Sequence, residues 1–265
     1  MKIGILGCAG RMGQSLVRQV TSTPGCVLAA ACDRPGFAGI ERDVGTVAGL
    51  EPLGVAVADG AAAVFAACDV VIDFTSPAAT LDHVALAVAH RCHLVIGTTG
   101  LSAAAETALA EAAAHVVIVA SPNMSLGVNI LAGLVKRVAQ TLDPSFDIEI
   151  LEMHHRAKVD APSGTALALG RAAAEGRGVA LEQAAVRVRD GHTGPRGAGD
   201  IGFAVLRGGD VIGDHVVMFA GQGERIELAH RASNRDIYAR GAVAAARWTR
   251  GQVPGLYGMA DVLGM

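Results

Sequence analysis

Lys2-Ile3-Gly4-Ile5-Leu6-Gly7-Cys8-Ala9-Gly10-Arg11-Met12-Gly13 opens the chain with a short apolar run that ends in three evenly spaced glycines. Lys2–Leu6 reads as a buried strand and Met12–Thr21 as the helix that follows it. Gly7, Gly10 and Gly13 then form a tight strand-to-helix turn. Such a turn brings free backbone N–H groups and the positive end of a helix dipole against a pyrophosphate. The spacing is G-x-x-G-x-x-G, with Ala9 where the strict dinucleotide fingerprint has its second glycine, so context has to support it. The context is a second apolar run, Val27–Cys32, followed at once by Asp33 and Arg34. An acid at the end of the second strand accepts hydrogen bonds from ribose hydroxyls, and an Arg beside it can hold a 2′-phosphate. Both NADH and NADPH are therefore expected to serve.

Downstream the same alternation continues. Val70–Phe74, Leu94–Ile96 and Val116–Val119 are short, nearly continuous apolar runs, as in strands buried on both faces. Ala78–Arg91 and Ala103–Ala114 between them read as helices. The βαβα pattern predicts an α/β fold, a Rossmann-like doubly wound parallel sheet with right-handed crossovers. Three runs end in small polar loops: Phe74-Thr75-Ser76-Pro77, Gly97-Thr98-Thr99-Gly100 and Pro122-Asn123-Met124-Ser125. Ligands of open α/β sheets lie outside the carboxyl ends of the strands, so these loops are expected around a nicotinamide.

Near residue 125 the character changes. Val128–Leu142 reads as a long helix, Phe146–Met153 as a half-buried strand, and Thr165–Glu175 as another helix. Glu182–Ala198 is polar and Gly-rich and reads as a loop that is mobile without ligand. Ile201–Leu206, Val211–Ala220 and Arg225–His230 are separated by Gly-containing turns and read as an antiparallel meander. Ile237–Thr249 is a last helix, followed by a Gly/Pro segment. The expected organisation is residues 1–125 plus 236–265 as a dinucleotide-binding domain. Residues 126–235 form an inserted α+β domain, built on a mainly antiparallel sheet, for substrate binding and oligomerisation. A sheet of about four strands with helices on one side leaves an apolar face for a second copy.

Bulk properties narrow the function. The 265 residues are 51% hydrophobic but only 3% aromatic, and the formal net charge is −3. That acidic balance argues against nucleic acid as the main partner. Mean hydropathy is positive, yet no stretch of about 18 residues lacks a charge or turn, which argues against a membrane span. Ile3–Leu6 is too short for a signal-peptide core, so a soluble, cytoplasmic protein is expected. The odd count of five cysteines, with no C-x-x-C, points to reduced buried thiols. His154 and His155 are the only adjacent histidines. Neighbours in a strand face opposite ways, so no metal site is expected there.

Glu152-Met153-His154-His155-Arg156-Ala157-Lys158-Val159-Asp160-Ala161-Pro162-Ser163-Gly164-Thr165 sets imidazole, guanidinium and ammonium groups just before a helix start. Imidazole beside an anion receptor suits proton transfer to a bound acid. Asp160 or Ser163 is the helix N-cap, and Arg156 pairs with Glu152 or Asp160 as a structural charge. This block closely resembles dihydrodipicolinate reductases, a lysine-pathway family. The likeness extends to Gly7–Gly13, Asp73-Phe74-Thr75, Gly97–Gly100, Asn123–Asn129, Arg189–Gly194 and Gly223–Leu228, and so covers essentially the whole chain.

The resemblance implies reduction of a cyclic imine bearing two carboxylates, 4-hydroxy-tetrahydrodipicolinate, to tetrahydrodipicolinate by NADH or NADPH. It implies proton-transfer roles for His154 and Lys158, and substrate binding by His155, Gly164 and Thr165. It places the nucleotide on Gly7, Cys8, Ala9, Gly10, Arg11, Met12, Asp33, Arg34, Gly97, Thr98, Thr99, Pro122, Asn123, Met124 and Ser125. A homotetramer built through the sheet of the inserted domain is expected. Three other readings stay open at this point. They are a related amino-acid dehydrogenase, a non-catalytic nucleotide-binding regulator, and a metal-dependent hydrolase using the His pair.

Overall fold

A computed structural model describes residues 1–265. The chain divides into two compact units, Met1–Leu126 with Asp236–Met265, and Gly127–Arg235.

The first unit begins with β1 (Lys2–Leu6), α1 (Arg11–Ser22), β2 (Val27–Asp33), α2 (Val44–Val47), β3 (Val57–Asp59) and α3 (Ala61–Ala67). β4 (Val70–Asp73), α4 (Pro77–His90), β5 (His93–Ile96), α5 (Ala103–Ala112) and β6 (Val117–Ala120) follow. The chain re-enters this unit for α9 (Asp236–Trp248), β12 (Gly255–Tyr257) and α10 (Met259–Leu263). All seven strands run parallel, in the order β12-β6-β5-β4-β1-β2-β3. Alternate side chains feed two cores. Ile3, Ile5 and Ile72 pack with Leu16, Val17 and Ala242 from α1 and α9. Leu6, Val71 and Ile118 pack on the other face with Phe65, Val84 and Leu109 from α3, α4 and α5. A sheet covered on both faces needs apolar residues at every strand position, which is why its strands read as unbroken apolar runs. α4 starts where the sequence marks it: Ser76 is the N-cap, its Oγ accepting from the Ala79 N–H, with Pro77 in the first turn.

Several elements lie where no strand or helix was expected. β3 is a three-residue edge strand, and α3 is the Ala-rich stretch just before β4. The segment after the last long helix, read as Gly/Pro-rich coil, carries β12, which pairs parallel with β6.

The second unit contains α6 (Leu126–Thr141, whose first residue belongs to the other unit), β7 (Asp147–His154), α7 (Gly164–Arg177), α8 (Leu181–Ala184) and β8 (Ala185–Val186). β9 (Ile201–Arg207), β10 (Gly213–Gly221) and β11 (Glu224–Ala232) complete it. The sheet order is β11-β10-β7-β9-β8. β10 pairs antiparallel with β11 and β7, while β9 pairs parallel with β7 and β8. The sheet is therefore mixed, and the expected three-strand meander is only a two-strand hairpin, because β7 inserts between β9 and β10. Residues 182–198 were read as a mobile loop. They begin as helix and edge strand, and the remainder is tied down where Arg189 grips Glu149 with two 2.8 Å bonds and Arg196 reaches Asp147 and Glu149.

α6 and α7 cover one face of this sheet, with Leu131, Val135 and Leu169 against Ile148, Ile150, Val217 and Phe219. Cross-strand register sets Leu151, Val216, Ala204 and Ala229 in one row on the other face, with Met153 and Leu206 in the next.

Candidate active site

In the first unit, the glycine turn adopts the geometry a phosphate cradle needs. Gly7 has φ +68°, a left-handed conformation that favours glycine. A Cβ on Gly13 would overlap the Gly7 carbonyl oxygen, so no larger residue fits. Gly10 is the N-cap of α1 and offers no side-chain acceptor, which leaves the first-turn donors open to an anion. Asp33 stands beside the turn: its Oδ2 accepts from the Ala9 N–H at 2.8 Å and its Oδ1 from the backbone N–H of Arg34 at 2.9 Å. Part of the Asp33 carboxylate thus braces the turn, a task the sequence reading left out. Arg34 is exposed. These residues fit a dinucleotide at this turn.

The other expected nucleotide residues fall on the carboxyl ends of β5 and β6. Thr98, Thr99, Gly100 and Pro122 line a cavity of about 500 Å³ together with Leu101 and Tyr257. Asn123 shapes its own loop: its Oδ1 accepts from the Ser125 N–H at 2.9 Å. Cys8 and Met124 are both buried, and the Met124 carbonyl oxygen occupies the space where a Cβ on Gly241 of α9 would sit. Burial pushes the Cys8 thiol up to about 11, helped by the charge on Asp33, so it stays protonated and inert.

The second unit holds the titratable cluster. β7 ends at His154, whose ring is buried, and its Nδ1 lies 2.6 Å from Glu152 Oε2. Residues 152 and 154 share a sheet face because the strand repeat is two. Glu152 is 1% exposed and also accepts from Arg207, at 2.8 and 3.0 Å, and from the Ser163 N–H at 3.0 Å. Burial alone would raise its pKa and favour the neutral form. The bonds from Arg207, His154 and Ser163 outweigh that, and its carboxyl lies below the ordinary range. An ionised Glu152 places the proton of His154 on Nδ1 and leaves Nε2 as its exchangeable site. Gly213 makes room for that atom: a Cβ there would lie 3.0 Å from His154 Nε2.

His215 on β10 packs edge-on against His154, ring centroids 5.1 Å apart. Its Nε2 is 3.0 Å from Ser163 Oγ. Ser163 is the N-cap of α7, its oxygen accepting from the Ala166 N–H at 3.1 Å as well as meeting His215. The other ring nitrogen of His215, Nδ1, is a buried atom with no hydrogen-bond partner. Burial first, then the charges of His154, His230 and Lys158 against that of Glu152, push His215 down to about 4. It is neutral at physiological pH.

Of the two N-cap candidates the structure selects Ser163. Asp160 instead receives Lys158 Nζ, at 2.8 and 3.0 Å. Lys158 therefore starts from an ion pair within its own loop. Arg156 pairs with neither candidate partner, because Arg207 and Lys158 already hold Glu152 and Asp160. His155 is half-buried and donates its N–H to Val211 O at 2.7 Å. Gly164 is exposed, with nothing within 4 Å of where a side chain would start. His154 and the Ser163–Thr165 turn are thus joined through Glu152, Ser163 and His215. Within this cluster, Arg207 and His215 carried no signal in the sequence. They lie 55 and 63 positions or so downstream of Glu152, and only the β10-β7-β9 pairing brings them in. No group of three or more His, Cys, Asp or Glu is arranged to hold a metal.

Comparison with known proteins agrees with this arrangement. The family model described as dihydrodipicolinate reductase, N-terminus, matches residues 1–124, and that described as its C-terminus matches 127–263. A 4-hydroxy-tetrahydrodipicolinate reductase of Rhodopseudomonas palustris is 56% identical, covering all of this chain and 98% of its own. One from Allorhizobium ampelinum is 57% identical over the same shares. Among solved structures, a dipicolinate-bound dihydrodipicolinate reductase of Paenisporosarcina sp. TG-14 shares the fold, with TM-score 0.78 at 23% identity over 98% of each chain. From end to end, then, this chain belongs to the dihydrodipicolinate reductase family.

Proposed function

We propose that this protein reduces 4-hydroxy-tetrahydrodipicolinate to tetrahydrodipicolinate with NADH or NADPH, in the diaminopimelate branch of lysine biosynthesis. The observation that carries the mechanism is the buried Glu152–Arg207 pair, which holds His154 by its Nδ1. Loss of water from the 4-hydroxy compound gives the conjugated imine, and a reduced nicotinamide held at the Gly7–Gly13 turn would supply a hydride to its C4. Electron density then moves toward the ring nitrogen, and C3 requires a proton. His154 delivers it from Nε2, while Glu152 offsets the charge its imidazole carries. Lys158 leaves Asp160 to pair with a substrate carboxylate and provides the second proton-transfer group. His155, Gly164 and Thr165 hold the carboxylates at the start of α7, where main-chain donors and the helix dipole favour an anion.

On this reading residues 1–125 and 236–265 carry the nucleotide, on Gly7–Met12, Asp33, Arg34, Gly97–Thr99 and Pro122–Ser125. Asp33 favours a free ribose and Arg34 a 2′-phosphate, so both cofactors are used. Residues 126–235 carry the substrate and the assembly contact. The apolar row of Leu151, Val216, Ala204 and Ala229 packs against a second copy, and the assembly is a homotetramer.

The test generates substrate in situ from pyruvate and aspartate semialdehyde with a separate synthase, and follows NADH and NADPH oxidation by absorbance. Oxidation should need the complete coupled system. It should fall by at least about 10²-fold in His154→Ala and in Lys158→Ala. Turnover like wild type in both variants would remove this mechanism.

A further inference from the structure

Asp73, the last residue of β4, is fully buried, and the mechanism above makes no use of it. In the strand order β5-β4-β1-β2, successive connections leave β1 in opposite directions, so the β4–β1 boundary is the switch point of the sheet. Ligands of open α/β sheets bind in the crevice at that point.

Asp73 bonds to its own loop, to the loop after β5 and to α4. Its Oδ1 accepts from the Thr75 N–H at 2.8 Å, from Thr75 Oγ1 at 2.6 Å, and from Thr98 Oγ1 at 3.5 Å. Its Oδ2 accepts from Thr80 Oγ1 at 3.2 Å and from His83 Nδ1 at 2.8 Å. One oxygen thus serves the loops and the other is anchored on α4. Burial opposes ionisation of Asp73, but His83 and Thr75 outweigh it and hold the carboxyl below the usual range.

Two apolar contacts close the same arrangement. Thr75 Cγ2 fills the space in front of Gly7, 3.2 Å from where a Cβ would sit, so the β4 loop backs the glycine turn. The Phe74 ring covers Gly97 so closely that any Cβ there would overlap it. The loops after β1, β4 and β5 are therefore packed on one another around a single carboxylate.

We propose that Asp73 is a positioning residue for the nicotinamide nucleotide. Through Thr75 and Thr98 it sets the glycine turn and the Gly97–Gly100 loop at the spacing the nucleotide needs, without touching it. This rests on the cofactor reading above. A carboxylate that served only stability would have no reason to spend three of its five hydrogen bonds on the loops after β4 and β5 at the switch point.

The experiment measures NADH and NADPH affinity of the full chain by fluorescence titration, with thermal unfolding in parallel. Asp73→Ala should raise Kd at least about tenfold, the effect of losing hydrogen bonds to a charged group. Asp73→Asn should stay within about threefold: its amide oxygen can face Thr75 and Thr98 while its NH2 donates to the other tautomer of His83. Thr75 is exposed, so Thr75→Val folds even if Asp73→Ala does not. Val retains the methyl against Gly7 but loses the hydroxyl, and should raise Kd about three- to tenfold; Thr75→Ser should restore it. Wild type that binds nucleotide while Thr75→Val and Asp73→Ala bind it equally well would overturn the proposal. Wild type that binds neither nucleotide would remove the cofactor reading, and this inference with it.

Discussion

Replacing His215 by Gln should flatten the acid side of the stability profile. His215 is 3% exposed, its Nε2 is occupied by Ser163, and its Nδ1 is buried without a partner. Its pKa falls from the ordinary 6.5 to about 4 on folding. The unfolded chain therefore takes up a proton at this position first as pH drops. Stability contributed by the neutral ring is complete above about pH 6.5 and is lost as pH falls toward 4, after which the loss levels off. Linkage converts the shift into about 2 kcal/mol lost by pH 5 and about 3 kcal/mol by pH 4. The assay is urea unfolding of wild type and His215→Gln at half-unit steps from pH 7 to pH 4. Gln is expected to cost stability at pH 7 through packing and the Ser163 bond, but that offset does not depend on pH. The informative quantity is the difference in slope: wild type should lose about 3 kcal/mol more than the variant over that range. Parallel profiles would refute the reasoning, because they would mean that His215 titrates alike in both states and is not buried neutral behind Ser163.

Glu152→Gln keeps a hydrogen-bond acceptor for His154 but removes the charge, and should lower kcat about tenfold with KM changed less than about threefold. An unchanged kcat in the coupled assay would leave Glu152 with a structural role only. Val216→Lys puts a charge in the middle of the apolar row of the second sheet, and sedimentation should show the wild-type assembly breaking into 26.9 kDa monomers. A wild type that already sediments as a monomer at micromolar concentration would sink the assembly reading.

How legible the chain was depended on how local each feature is. The doubly buried strands β1, β2, β4, β5 and β6 announced themselves as apolar runs, since both of their faces meet helices. Ser76-Pro77 marked the start of α4 because a cap and a fixed φ act within one turn. β3 and β12 were missed: each is a three-residue edge strand, stabilised by the neighbour it joins rather than by its own pattern. The meander from residue 201 onward was misjudged for a related reason. Alternation and glycine turns specify strands and hairpins, but not that β7 lies between β9 and β10.

The candidate site divides along the same line. By itself, the sequence determined that a glycine turn follows the first strand, that an acid ends the second, and that His154 and Lys158 precede a capped helix. Those features rest on residue types a few positions apart, where backbone geometry allows few choices. Only the tertiary structure decided that Glu152 would be shared by His154, Arg207 and Ser163, that His215 would be held neutral behind Ser163, and that Lys158 would start paired with Asp160. The same holds for Asp73 and the three loops it gathers. Buried charges must find partners wherever the fold brings donors within about 3 Å, and strand pairing, not sequence spacing, decides which donors those are.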